Sequence, residues 1–251
     1  MSTEQKKNSE AALAVHAPPS YITAHGAVGT EKINVATSTP RLVVVQAMSA
    51  ADIKAEFGEG AMIVRPDNTL AAALGERMTV NPVFRWVSWQ KWADVKDSDA
   101  VPPIIAETFD AEHVIAKRAR SSVFADRREE YGSGQRNLVY RYFESINMII
   151  AVDGGPLDGM VLVTSWRSAG HKHGAKLVRH IDRFGAQGVP IFGHRINLVA
   201  QGETNKAGQT YMVIIPRHDT LRPWTGEDRI ERLTEMHDRF KSLNAIMTAS
   251  E

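Results

Sequence analysis

The chain has nine histidines and no cysteine. Composition alone therefore excludes disulfides, thiol nucleophiles and thiolate metal centres, and leaves the histidines as the only strong catalytic material. His171 and His173 lie two residues apart, while His180, His194 and His218 are spread along the segments that follow. A metal needs ligands that converge from fixed elements, often at i and i+4 of a helix, and a His-x-His pair at a helix start offers no such face. Asp94, Asp97 and Asp99 share a polar stretch. They lack the glycine and the closing glutamate of a calcium loop. There is no G-x-S-x-G elbow, no H-E-x-x-H and no P-loop, and Gly154-Gly155 and Gly132-x-Gly134 lack the context of a nucleotide loop. The clustered carboxylates of a two-metal nuclease cannot be assembled. No enzyme, cofactor or metal is expected.

What remains is non-covalent chemistry, carried by cations and aromatic rings. The net charge is only +1 over the whole chain. Between Lys117 and Arg183, twelve Lys and Arg stand against seven Asp and Glu, a local excess of +5. Tyr131, Tyr140, Tyr142, Phe143 and Trp166 are interleaved with those charges. Such a surface neutralises phosphates, with an affinity that falls in salt. Residues 78–92 form the most aromatic stretch, in which Arg85, Trp89 and Lys91 share one strand face. Aromatic faces that stack bases contribute roughly 1–3 kcal/mol each, and a basic groove tracks the backbone. Trp89, Tyr140, Tyr142 and Trp166 are the stacking candidates. Arg85, Lys91, Arg141, Arg167, Lys172, Lys176 and Arg179 are the phosphate candidates. Strand parity puts Tyr140 and Tyr142 on one face and Arg141 on the other, so the three cannot line one groove. Lys172, Lys176, Arg179 and Arg183, spaced four, three and four apart, share a helix face.

The elements that must position these groups follow from period and turn chemistry. Residues 41–47 and 61–64 read as short strands, and 49–57 as a short helix that Ser49 can cap. Residues 137–216 read as strand, hairpin, strand, basic helix, strand, hairpin, strand. The helix covers 168–184, and the following strand 191–199. Residues 112–136 read as a long charged loop, a feature that often carries function. Ile230, Leu233, Met236, Phe240, Leu243 and Met247 recur at helical spacing near the end of the chain. The predicted fold is mainly β with helices: an OB-like five-stranded β-barrel with an inter-strand helix and a C-terminal helix. A flexible arm covers 1–40, the nucleic-acid-binding domain 41–216 and a helical extension 217–251. No apolar run approaches the ~20 residues of a membrane span. Lys6 and Lys7 precede no apolar signal core, so a cytoplasmic location is expected.

The order of segments resembles bacteriophage single-stranded DNA-binding proteins of the OB-fold type. The likeness rests on the strand 41–47, on Val87-Ser88-Trp89, on the hairpin 140–165 and on the Lys/Arg helix. It rests further on Val189-Pro190-Ile191-Phe192 and on the hairpin 205–211. The resemblance implies sequence-independent single-stranded DNA binding in phage replication or recombination, in the host cytoplasm. It also implies replication-protein partners. A homo-oligomer is expected separately, with the C-terminal helix packing on its own barrel or on a second copy. Such proteins often end in an acidic disordered tail, whereas this chain ends in a mildly acidic helical pattern. The rival reading is a structural or assembly protein whose aromatic strand and C-terminal helix make subunit contacts without nucleic acid.

Overall fold

A computed structural model of the chain describes residues 39–94, 104–133, 136–204 and 208–248. The expected arm, 1–40, lies outside the described residues except for its last two, and so does most of the tip of the 202–208 turn. In order, the described elements are β1 (Arg41–Val44), α1 (Ala51–Phe57), β2 (Met62–Arg65), β3 (Thr69–Ala72), β4 (Arg77–Asp94), β5 (Ile104–Thr108) and α2 (Val114–Arg120). They continue with β6 (Arg128–Ser133), β7 (Arg136–Val152), β8 (Val161–Arg167), α3 (His171–Gly185), β9 (Ile196–Thr204), β10 (Thr210–His218) and α4 (Glu227–Thr248).

The ten strands form one open mixed sheet in the order β10-β9-β4-β7-β8-β1-β2-β3, with β5 added to β4 and β6 to β7. The predicted five-stranded OB-like barrel is therefore incorrect. Neighbouring strands are antiparallel except β1 and β8. Among the described residues no ladder joins β10 to the far strands. Where β10 comes near β1 and β8, an opening of about 700 Å³ remains between them. One side chain spans that seam: Gln46 donates to the Met212 carbonyl at 2.8 Å and accepts from the Met212 N–H at 3.0 Å. Its amide copies the pairing that a neighbouring strand would supply.

The sheet has a spine. β4 and β7 lie side by side from Val80 opposite Val152 to Asp94 opposite Val139. At one end their outer neighbours are β9 and β8, and at the other they are β5 and β6. The spine thus carries a main sheet and a four-stranded wing. A register shift between Pro82 and Phe84 interrupts β4. A proline cannot donate to the ladder, and a bulge exchanges the faces of the residues beyond it. Met78 and Val80 accordingly enter the main core, whereas beyond the bulge it is odd-numbered Trp89 that packs on the same side.

Each face has its own cover. Leu177 and Ile181 of α3 pack on Met148, Ile150, Leu162, Trp166, Ile196 and Leu198. On the opposite face Leu233 of α4 meets Val83, Ile149, Ala151 and Val163. Over the wing, Ile115, Ala116 and Ala119 of α2 bury Trp89 and Tyr142. The span 112–136 is therefore not a loop. Its apolar residues, spaced one and three apart, make a short helix wherever aromatic surface needs covering. The strand expected over 191–199 begins only at Ile196, because Ile191–Gly193 forms a tight 3₁₀ turn after Pro190.

Helix α3 can approach the sheet because position 174 is glycine. A Cβ there would lie 2.7 Å from the Cβ of Trp166. Replacing an interior helical glycine by alanine normally gains up to about 1 kcal/mol. Overpacking a core costs about 1–3 kcal/mol. Gly174→Ala should therefore lower the urea midpoint, while Gly185→Ala, with open space around its Cβ, should leave it unchanged or raise it.

Candidate nucleic-acid interface

The sheet face that carries α2 and α3 also carries a groove between them. Along β7 the even-numbered side chains point to this face: Tyr140 and Tyr142 under α2, and Ile146, Met148 and Ile150 under α3. Glu144 falls between the two helices. Its Oε1 lies 2.9 Å from Nε2 of His171, the first residue of α3, and its Oε2 accepts from the Trp89 indole at 3.1 Å. The His171 contact, helped by the indole and by the more distant Arg120, holds the Glu144 carboxyl below its ordinary range despite partial burial.

Two hollows meet at this pair. One, of about 340 Å³, is lined by Arg120, Ser121, Arg127, Tyr142, Glu144 and His171 among others. The other, of about 460 Å³, is lined by Arg85, Val87, Glu144, Ile146, His171 and Arg179 among others. Glu144 and His171 form a shared wall, so the hollows run on from one another with two arginines on each. Arg120 is partly committed, since it donates to the Ala111 and Ala116 carbonyls and lies 5.3 Å from the Trp89 ring. Arg85 reaches Asp182 at 2.6 Å. Arg127 and Arg179 are exposed.

The predicted site residues divide among three places. Arg85 and Arg179 line the groove, and Lys176 stands exposed on the outer face of α3. Lys172 also lies on that face, but Glu203 holds its ammonium at 2.7 Å, and that contact raises the lysine's pKa. Trp89, Tyr142 and Trp166 are 7%, 5% and 2% exposed, so their faces are packing surfaces and not platforms for bases. Trp166 lies beneath α3 and donates to the Ile214 carbonyl at 2.9 Å. Tyr140 is half-buried under Lys91, whose Nζ stands 4.2 Å from the ring centre. Arg141 pairs across from Trp92. Arg167 lies 4.2 Å from the Trp92 ring, on the opposite face from the groove, and burial above all lowers its pKa.

Sequence reasoning missed Arg120, Arg127, Glu144 and His171 as groove residues. The basic excess between Lys117 and Arg183 pointed toward the two arginines, and His171 was weighed only as a metal ligand. Sequence reasoning also missed a second gathering: His180, His194 and His218 each place a ring nitrogen within 4.8 Å of the others.

Residues 7–237 match the family of Pam3 phage gp34-like proteins. The chain belongs to that family. The match reaches across the sheet and the first half of α4, and it agrees with the phage connection drawn from the order of segments. It carries no indication of DNA binding or of an OB fold. No curated protein and no solved structure matches the chain. Among the described residues, no helix is long and apolar enough to cross a membrane.

The Glu144–His171 pair has a pH signature. A carboxylate with a depressed folded pKa adds stability above its unfolded pKa, and that stability is lost as pH falls through the folded value. The melting temperature of the wild type should exceed that of Glu144→Gln at pH 7. The gap should narrow below about pH 4.5, near the ordinary glutamate value. A pH-independent gap would mean that the Glu144 charge contributes nothing.

Proposed function

We propose that the protein binds single-stranded nucleic acid, without sequence preference, through its phosphates along the groove between α2 and α3. The observation that carries this reading is the pair of adjoining hollows that share Glu144 and His171 and hold Arg120, Arg127, Arg85 and Arg179. The groove holds four guanidinium groups, of which Arg85 is paired with Asp182 and Arg120 donates to backbone carbonyls, beside Glu144, which is matched by His171. Guanidinium contacts to phosphate position a strand and carry no base information. Each hollow is on the scale of a small-ligand pocket. That size suits a strand threaded nucleotide by nucleotide better than a duplex. Beside the groove, α3 carries Lys172, Lys176, Arg179 and Arg183 against Asp182 alone, and Asp182 is taken by Arg85. Stacking by Trp89, Tyr142 and Trp166 plays no part, because those rings are buried. Affinity then rests on charge and is weaker and more salt-sensitive than in a stacking groove.

A second reading has its own support. Ile104 and Ile105 are 42% and 50% exposed on β5, whose only ladder among the described residues is to β4. An apolar strand at a sheet edge is a pairing surface. This favours a phage assembly component that self-associates without nucleic acid.

Anisotropy of a labelled thymidine homopolymer separates the two. With four phosphate contacts, the logarithm of affinity should fall against log salt with a slope of about −3, at roughly 0.7 per contact. Arg127→Ala with Arg179→Ala should reduce the slope by about 1.4. Arg217→Ala, on exposed β10 surface, should not change it. Absence of binding at low salt, with an oligomer seen by light scattering that Ile105→Lys dissolves, would support assembly instead.

A further inference from the structure

Away from the groove, three histidines from three elements converge. His180 lies on α3, His194 just before β9, and His218 ends β10. The Nδ1 of His194 is 3.3 Å from Nε2 of His218, and the ring centres of His180 and His218 are 4.6 Å apart. Phe184 and Trp224 wall the cluster, each with a ring centre within 6 Å of that of His194. His194 is fully buried. Nε2 of His180 and Nε2 of His194 are both buried without a hydrogen-bond partner. Buried polar atoms are rarely left so, and such an orphan asks for an explanation such as an ion.

We propose that His180, His194 and His218 form a binding site for a divalent transition metal of the zinc type. Three imidazoles and no thiolate suit zinc and its neighbours, and leave a fourth position for water. Tetrahedral zinc with Zn–N of about 2.0–2.1 Å sets its nitrogens about 3.3 Å apart. Nδ1 of His194 already stands at that distance from Nε2 of His218; ligation through Nδ1 leaves the unpartnered Nε2 of His194 as it is, so of the two orphan atoms the metal accounts for that of His180. The remaining gap, to nitrogens within 4.8 Å, closes by rotation of the half-buried His180 ring. The backbone around His194 is firmly held, since its carbonyl accepts from the Asn81 amide at 3.2 Å and from the Thr225 hydroxyl at 3.3 Å. The metal would join the second half of α3 to the β9–β10 hairpin. It needs no contact with the nucleic-acid groove, so the two readings stand or fall separately.

The test uses the full chain, stripped of metal with a chelator and dialysed. Zinc chloride is then titrated calorimetrically, and melting is followed with and without zinc. We expect one zinc per chain and a melting temperature that zinc raises and chelator lowers again. His180→Gln and His218→Gln, both at partly exposed positions, should each weaken binding at least tenfold. His173→Gln, whose ring faces Glu203 at 2.8 Å, should not. Cobalt(II) substitution should give the visible bands of a tetrahedral site, lost in the two variants. Absence of zinc-dependent heat and of any melting shift, or zinc binding that survives both substitutions, would overturn the proposal.

Discussion

The position of Trp166 under α3 is the constraint on which the rest of the structure depends. The ring is 2% exposed, sits at the end of β8 and gives its indole N–H to the Ile214 carbonyl of β10. It thereby ties two strands that no ladder connects. Gly174 lies directly above, where a side chain would collide with it. One large ring and one absent side chain fix both the height and the register of α3. Burying an indole is favourable by area alone, and its N–H must then find a partner inside. The chain supplies that partner from β10 because the sheet curls toward the helix without closing. Gln46 completes the seam from the β1 side by pairing both backbone groups of Met212.

The same economy explains why the aromatic residues do not form a binding surface. A sheet this broad needs cover on both faces. The wing has only the seven-residue α2 to cover one of its faces. Trp89 and Tyr142 supply the bulk that so short a helix lacks, and Arg118 and Arg120 lie over their rings at 5.1 and 5.3 Å. Cation–π contacts of this kind hold charged side chains down on apolar surface. An arrangement of cations and rings that reads in sequence as a nucleic-acid platform therefore doubles as a way of finishing a small core.

Local signals were legible in the sequence and long-range ones were not. The period of 168–184 located α3 to within three residues, and the heptad-like run after Gly226 located α4. The strands around Tyr140 and Trp166 were equally plain. What failed was partner choice. Whether a set of strands closes into a barrel depends on which edges meet, and among the described residues β10 approaches β1 and β8 without a ladder, tied by the side chains of Gln46 and Trp166. The parity argument separated Tyr140 from Arg141 correctly. It carried no information on which face α3 would cover, because that is settled at Gly174. His180, His194 and His218 lie 14 and 24 residues apart in sequence, with no motif to announce them. Their convergence is a product of the hairpin register, in which His218 pairs with Ile196.

Helix α3 unites these features, because its fifteen residues serve four directions at once. With 100° per residue, Gly174, Leu177 and Ile181 fall on one stripe and enter the core. His171, Ala175, Val178 and Asp182 fall on a second, turned by roughly a quarter of a circle, and face the groove and Arg85. His173, His180 and Phe184 lie on the other flank, toward Glu203 and the histidine cluster. Lys172, Lys176, Arg179 and Arg183 complete the circle outside. An ordinary amphipathic helix spends one face on the core and leaves the rest to solvent. Here the two flanks also carry converging polar groups, and their aim is set by the seating of the core stripe. A rotation of α3 by even a few tens of degrees would separate His171 from Glu144 and His180 from His218 together. Both candidate sites therefore inherit their geometry from the contact between Gly174 and Trp166, although neither residue touches either site's polar groups.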